Sequence, residues 1–130
     1  MEDTLFTKII KGEIPSHKVY EDEKTFAFLD IHPVTEGHVL VVSKIQVEWI
    51  WDLPDEEYAA LMATAKKLGT HLREVINTPS VGMLVEGTGV PHVHVHLVPF
   101  TEGHEMRRES DQSLEPDHAA LAALAEKLRF

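Results

Sequence analysis

Cysteine is absent from the 130 residues, which excludes a disulfide framework, a thiolate metal site and a cysteine nucleophile together. Basic residues are scarce beside acidic ones. Twelve Lys and Arg against 22 Asp and Glu leave a net charge of −10 with histidine neutral. A field of that sign repels nucleic acid and anionic membrane, so an anionic ligand needs a local site to hold it. No uncharged apolar run approaches the roughly 18 residues of a membrane span. The opening MEDTLFTKIIKGEIP mixes acids with lysines and never builds the apolar core of a signal peptide. These absences lead to the expectation of a soluble, cytoplasmic protein. Internal repeats, low-complexity runs and Gly/Ser linkers are missing too, and 43% hydrophobic with 26% charged content fits one ordinary globular domain over residues 1–130.

The periodicity predicts three helices and five strands. Leu5, Phe6, Ile9 and Ile10 share a helical face that Gly12 and Pro15 terminate. Lys18–Glu21 and Thr25–Leu29 read as strands around an Asp22-Glu23 turn, and His38–Val42 as a β-branched strand after the Pro33–Gly37 loop. Pro54 near a first turn, three acids at 55–57, and Leu61, Ala65, Leu68, Leu72 and Val75 at helical steps describe a long helix that Asn77 and Pro79 end. Strands Val81–Glu86 and His92–Val98 follow, split by glycines 87 and 89. Residues 101–113 are polar and expected to be mobile, ahead of a short helix carrying Leu121, Leu124 and Leu128. Clustered strands predict an α+β fold with a mainly antiparallel five-stranded sheet, the long helix on one face and the other face free for a site.

The abundant residue is histidine, with nine copies, three of them alternating in His92-Val-His-Val-His96. On a strand, His92, His94 and His96 project to one face and Val93, Val95 and Leu97 to the other. Imidazole carries two nitrogens that need partners when buried, so three in a row are poorly explained as packing. One chemistry is metal binding. Four residues at about 3.3 Å each hold the outer Cα atoms roughly 13 Å apart, too far for all three to meet one ion, although two with His38 or His32 remain a candidate set. The other is phosphoryl transfer, in which a neutral imidazole with a fixed tautomer attacks phosphorus and flanking donors take the charge. The glycines of Glu86-Gly-Thr-Gly89 would let backbone N–H groups approach the phosphate of such a substrate.

His92-Val-His-Val-His-Leu-Val98 resembles the signature of the histidine-triad (HIT) family. Leu5-Phe-Thr-Lys-Ile-Ile-Lys-Gly-Glu-Ile-Pro15 resembles its N-terminal helix, and Ala27–Ile31 with Gly37–Val42 its central strands. The resemblance covers residues 4–100 and leaves 101–130 as a variable extension. It implies a homodimeric α+β fold with a short N-terminal and a C-terminal helix, and release of nucleoside monophosphate from purine nucleoside phosphoramidates or dinucleoside polyphosphates. By the same resemblance His94 is the nucleophile, its Nδ1–H held by the His92 carbonyl. His96 donates to the α-phosphate, and His38 supports the cluster. Asp30 takes the ribose hydroxyls. Leu5, Phe6, Ile9, Ile14, Phe28 and Ile31 surround the base, with Thr88 and Gly89 beside the phosphate. No cofactor or metal is implied.

Two departures qualify the match. The positions where many bacterial relatives hold zinc with two cysteines and a histidine are Thr4, Thr7 and Gln46 here, so no structural zinc is expected. The stretch before the triad, Gly87-Thr-Gly-Val-Pro91, lacks the family's glutamine and following hydroxyl, which leaves a non-catalytic mononucleotide-binding module as the alternative and a metal-binding histidine strand as a second. His17, His32, His71, His104 and His118 receive no role. Activity is expected to fall as acid protonates the cluster.

Overall fold

Five strands, β1 (Lys18–Glu21), β2 (Thr25–Leu29), β3 (Val39–Ser43), β4 (Ser80–Leu84) and β5 (His94–Phe100), form one antiparallel sheet in the order β1-β2-β3-β5-β4 in a computed structural model that describes residues 2–129. Helices α1 (Leu5–Ile10), α2 (Asp55–Ile76) and α3 (His118–Leu128) complete it. The α+β architecture and element order agree with the sequence expectation.

Alternation along the strands divides the molecule into two apolar layers. Ala27, Leu29, Val39, Val41, Val95 and Leu97 turn to one face and meet Leu61, Ala65, Leu68 and Leu72 of α2. Phe26, Phe28, Leu40 and Val42 turn to the other and meet Phe6 and Ile9 of α1. The α2 stripe forms as its spacing predicts, except that Val75 is only partly buried. Three acids lie in its first turn, and Asn77 closes it in the left-handed conformation at φ 61°, donating its N–H to the Arg73 carbonyl. Thr64 also lies on the buried face, 3% exposed, its hydroxyl 2.8 Å from that of Thr25. A polar residue drops out of an apolar-stripe reading, and only its cross-chain partner makes it a core residue.

Three boundaries differ from expectation. β3 begins at Val39, and β4 is Ser80–Leu84 where Val81–Glu86 was expected. β5 begins at His94, so His92 lies on a bend before it. Pro91 has no N–H to give a ladder, and the His92 N–H is spent on the Val90 carbonyl at 2.8 Å. In the segment expected to be mobile, Gly103–Arg107 forms a turn of 3₁₀-helix, closed by reciprocal bonds between the Glu102 and Glu105 side chains and backbone N–H groups. Met106 of that turn lies over Gly82 of β4, where any side chain would overlap its sulfur.

Helix α3 packs against α2, β1 and β2. Asp117 caps it by accepting the Ala120 N–H, and Leu121, Ala125 and Leu128 enter the α2 layer while Leu124 is half-buried. Histidines without a sequence-assigned role hold it down. His71 Nε2–H donates to the Leu128 carbonyl at 2.8 Å, and His17 and His118 share a hydrogen bond of 2.9 Å. No helix among the described residues is long and apolar enough to cross a membrane.

Candidate functional site

The sheet register sets the site. His96 pairs with Leu40, which pairs with Phe28, and His94 pairs with Val42, which pairs with Phe26. Both imidazoles therefore share the α1 face of the sheet with these apolar neighbours. The ring of Phe6 from α1 lies edge-on to His94 at 5.0 Å, as does the ring of His96. A cavity of about 570 Å³ opens over them, within the size of small-ligand pockets.

Hydrogen-bond partners assign the protons. His94 Nδ1 is 2.8 Å from the His92 carbonyl. A carbonyl only accepts, so Nδ1 carries the proton and the Nε2 lone pair faces the cavity. His38 Nδ1 accepts the Val34 N–H at 3.1 Å, which places the proton of the neutral ring on Nε2. That proton goes to His96 Nδ1, 3.0 Å away. His96 in turn carries its proton on Nε2, a donor beside the nucleophile-shaped lone pair of His94. Burial holds both rings of the relay neutral, lowering His38 and His96 to about 4. Burial lowers His92 as well and raises the Asp30 carboxyl above its usual range.

Of the residues singled out from sequence, Leu5, Phe6, Ile9, Ile14, Phe28, Asp30, Ile31, Thr88, Gly89, His94 and His96 line the cavity. His92 and His38 do not. They are 0% and 3% exposed and stand behind it. Asp30 is fixed by the His32 N–H on Oδ1 at 2.8 Å, and its Oδ2 lies 3.7 Å from His38 Nε2. Thr88 donates its hydroxyl to Glu86 at 2.6 Å, so that proton is engaged within the loop. Gly87, at φ 79°, brings the loop against Trp49, where a Cβ would stand 2.5 Å from the ring.

The cavity also includes residues that sequence reading passed over. Ser16, His32, Leu40, Glu86 and Val90 line it, as do Ser110 and Gln112 from the chain beyond the triad strand. His32, weighed from sequence only as a candidate metal ligand, borders the cavity beside Asp30. Glu86 was the one with a signal, as a carboxylate opening the glycine loop. Ser110 and Gln112 are polar residues in a polar stretch, and only the 3₁₀ turn brings them back to the sheet.

The donor sets suit metals poorly. Asp30, His38 and His96 place ligand-type atoms within 4.8 Å of one another, the one such group found among the described residues. The His38 Nε2 proton lies in the middle of that set, and the Val34 N–H on Nδ1 opposes moving it. His92 cannot join His96, because its Nε2–H donates to the Ser43 carbonyl at 2.7 Å and its Nδ1 is 2.7 Å from the Thr4 hydroxyl. Thr4, Thr7 and Gln46 do come together, but as hydroxyls and a carboxamide bonded to one another, not as zinc ligands.

Comparison with known proteins finds the HIT domain family matching residues 11–103. An uncharacterized HIT-like protein of Methanocaldococcus jannaschii is 42% identical over 103 residues, covering 76% of this chain and 80% of that one. An adenosine 5′-monophosphoramidase of Candida albicans is 39% identical over 110 residues, covering 73% and 68%. A crystal structure of a HIT-like protein from Bartonella henselae, described as involved in cell-cycle regulation, superposes with a TM-score of 0.83 at 26% identity over 98% of this chain and 95% of that one.

Proposed function

The chain belongs to the HIT-domain family, and on that premise we propose that it is a metal-independent nucleotide hydrolase that releases nucleoside monophosphate through a nucleotidyl-His94 intermediate. The observation that carries the reading is the pair of imidazole nitrogens at the cavity floor, the free Nε2 of His94 beside the Nε2–H of His96. His94 Nε2 attacks the α-phosphorus, the N–P bond forms, and the bond from phosphorus to the leaving group breaks. The leaving atom takes a proton from solvent, while His96 stays neutral and its Nε2–H hydrogen-bonds the phosphoryl oxygens. Water then attacks phosphorus and gives up one proton to solvent, the N–P bond breaks with its electron pair returning to Nε2, and His94 is again the neutral Nδ1–H tautomer. Positioning and donors to the phosphoryl oxygens lower both barriers.

Asp30 accepts from the ribose hydroxyls in this reading. Phe6, Ile9, Leu5, Ile14, Phe28 and Ile31 enclose a purine, and Gly89 gives backbone access to the phosphate. Substrates of two classes fit, purine nucleoside phosphoramidates and dinucleoside polyphosphates; a Candida albicans relative named a monophosphoramidase supports the first. The enzyme acts as a homodimer built on the edge strand β4, whose Met83 and Leu84 are exposed. Its charge of −10 matches action on small nucleotides in aqueous surroundings and not on nucleic acid or membranes.

The Thr88 hydroxyl, engaged by Glu86, favours one second reading, a mononucleotide-binding module without turnover. Release of AMP from adenosine 5′-phosphoramidate and diadenosine polyphosphates, assayed in chelator with His94→Ala alongside, separates the two. Release by the wild type that the variant loses supports hydrolysis. AMP binding without release from any substrate establishes the binding module instead.

A further inference from the structure

Gln46, Thr7, Thr4 and His92 form one hydrogen-bonded cluster in which the shorter contacts place the protons; the Thr7 hydroxyl oxygen also stands 3.3 Å from that of Thr4 and from His92 Nδ1. Gln46 Oε1 accepts the Thr7 hydroxyl at 2.7 Å and the Thr4 N–H at 2.9 Å, and its amide nitrogen donates to the Glu2 carbonyl at 2.8 Å. The Thr4 oxygen accepts the Thr7 N–H at 3.2 Å. His92 Nε2 must donate to the Ser43 carbonyl, so its neutral ring has only a lone pair on Nδ1, and the Thr4 hydroxyl proton fills it at 2.7 Å. The ring is completely buried.

Position in the chain gives this cluster its consequence. His92 lies on a bend before β5, without ladder bonds of its own, and its carbonyl is the group that receives His94 Nδ1–H. We propose that Thr4, backed by Thr7 and Gln46, is a positioning residue for the nucleophile: its hydroxyl pins the His92 ring and thereby the carbonyl that keeps the His94 lone pair on Nε2. Without that hydroxyl a buried nitrogen loses its donor. The opposite His92 tautomer is no remedy, since it sets a lone pair against the Ser43 carbonyl oxygen. The ring turns, and the peptide carrying the acceptor turns with it. Thr4 also caps α1, whose Phe6 ring touches both His92 and His94 at 5.8 and 5.0 Å. One residue thus ties the pocket wall to the tautomer of the group at its floor.

The kinetic consequence rests on His94 acting as proposed above; the tautomer itself does not, so two readouts are needed. Thr4→Val should slow single-turnover formation of the nucleotidyl enzyme by roughly 10- to 100-fold, the range seen when the partner orienting a metal-site histidine is lost, a larger factor than the change in the dissociation constant for AMP. Thr4→Ser should restore the rate. In the free protein, ¹⁵N chemical shifts of the His94 ring should show a single Nδ1–H tautomer in the wild type and a mixture in Thr4→Val. If the lost cap unfolds that variant, the ring ¹⁵N shifts of His92 in the wild type carry the test, and must show the Nε2–H tautomer with a hydrogen-bonded lone pair on Nδ1. A single wild-type His94 tautomer in folded Thr4→Val, or a wild-type His92 protonated on Nδ1, overturns the positioning role. So does a rate loss in Thr4→Val that Thr4→Ser fails to restore. Absence of any nucleotidyl enzyme in the wild type would instead defeat the proposed function, with the tautomer still read by NMR.

Discussion

Each proton of the imidazole relay is set by a neighbour that can only donate or only accept. A backbone N–H fixes His38, His38 fixes His96, and a backbone carbonyl fixes His94. His38 is thus required as a donor and not as a base. His38→Phe fills similar space without an N–H and should lower kcat by roughly 10- to 100-fold, the scale of a lost orienting partner, while His38→Gln, which keeps an N–H, should retain most of it. Steady-state kinetics with AMP affinity measured in parallel checks this. Strand alternation made the shared face of His94 and His96 legible from sequence. It misplaced His92, because alternation says nothing of a bend whose ring is held by groups far along the chain, Thr4 and Ser43. The burial of His38 was legible only through the family resemblance.

The elements followed from local rules wherever one apolar period ran long enough, as in α2 and β2. They were misjudged where a few polar contacts decide. Glu102 is outside the usual set of capping residues, so its turn gave no signal, and that turn is what returns Ser110 and Gln112 to the cavity. Edge strand β4 shows a further case. Ser80, Val81 and Gly82 are partly buried and Met83 and Leu84 exposed, a short strand whose free edge invites pairing with another. Beside it Met62 and Gly69 of α2 shape a groove that Met83 and Val81 share. If a second copy continues the sheet there, Met83→Arg should convert a dimer to a monomer in sedimentation velocity. A wild type that sediments as a monomer at micromolar concentration contradicts the dimer.

Acid should unfold the whole molecule by a route that its buried imidazoles specify. His38 and His96 sit near 4 in the fold against about 6.5 in an unfolded chain. Between those values the unfolded state binds more protons, so stability rises with pH and is lost as pH falls from about 6.5 toward 4. Thermal melts across that window should show a falling midpoint and proton uptake on unfolding approaching two per molecule from this pair. A midpoint constant from neutrality to pH 4 would contradict the burial of neutral rings. Down to about pH 4 the folded relay keeps its donor form, so the nucleophile's environment survives mild acid as long as the fold does.

At the same scale the strongly acidic surface means that substrate is held by the site alone, and everything claimed for the site converges on one atom, Nε2 of His94. The most direct measurement mixes the wild-type protein with adenosine 5′-phosphoramidate in chelator, quenches within the first turnover under conditions that preserve a phosphorus–nitrogen bond, and reads the intact mass and the modified peptide. An adenylyl adduct confined to His94, formed at a rate that accounts for AMP release and missing from His94→Ala, is the predicted result. AMP release that persists undiminished in His94→Ala, or an adduct on any other residue, would contradict the account.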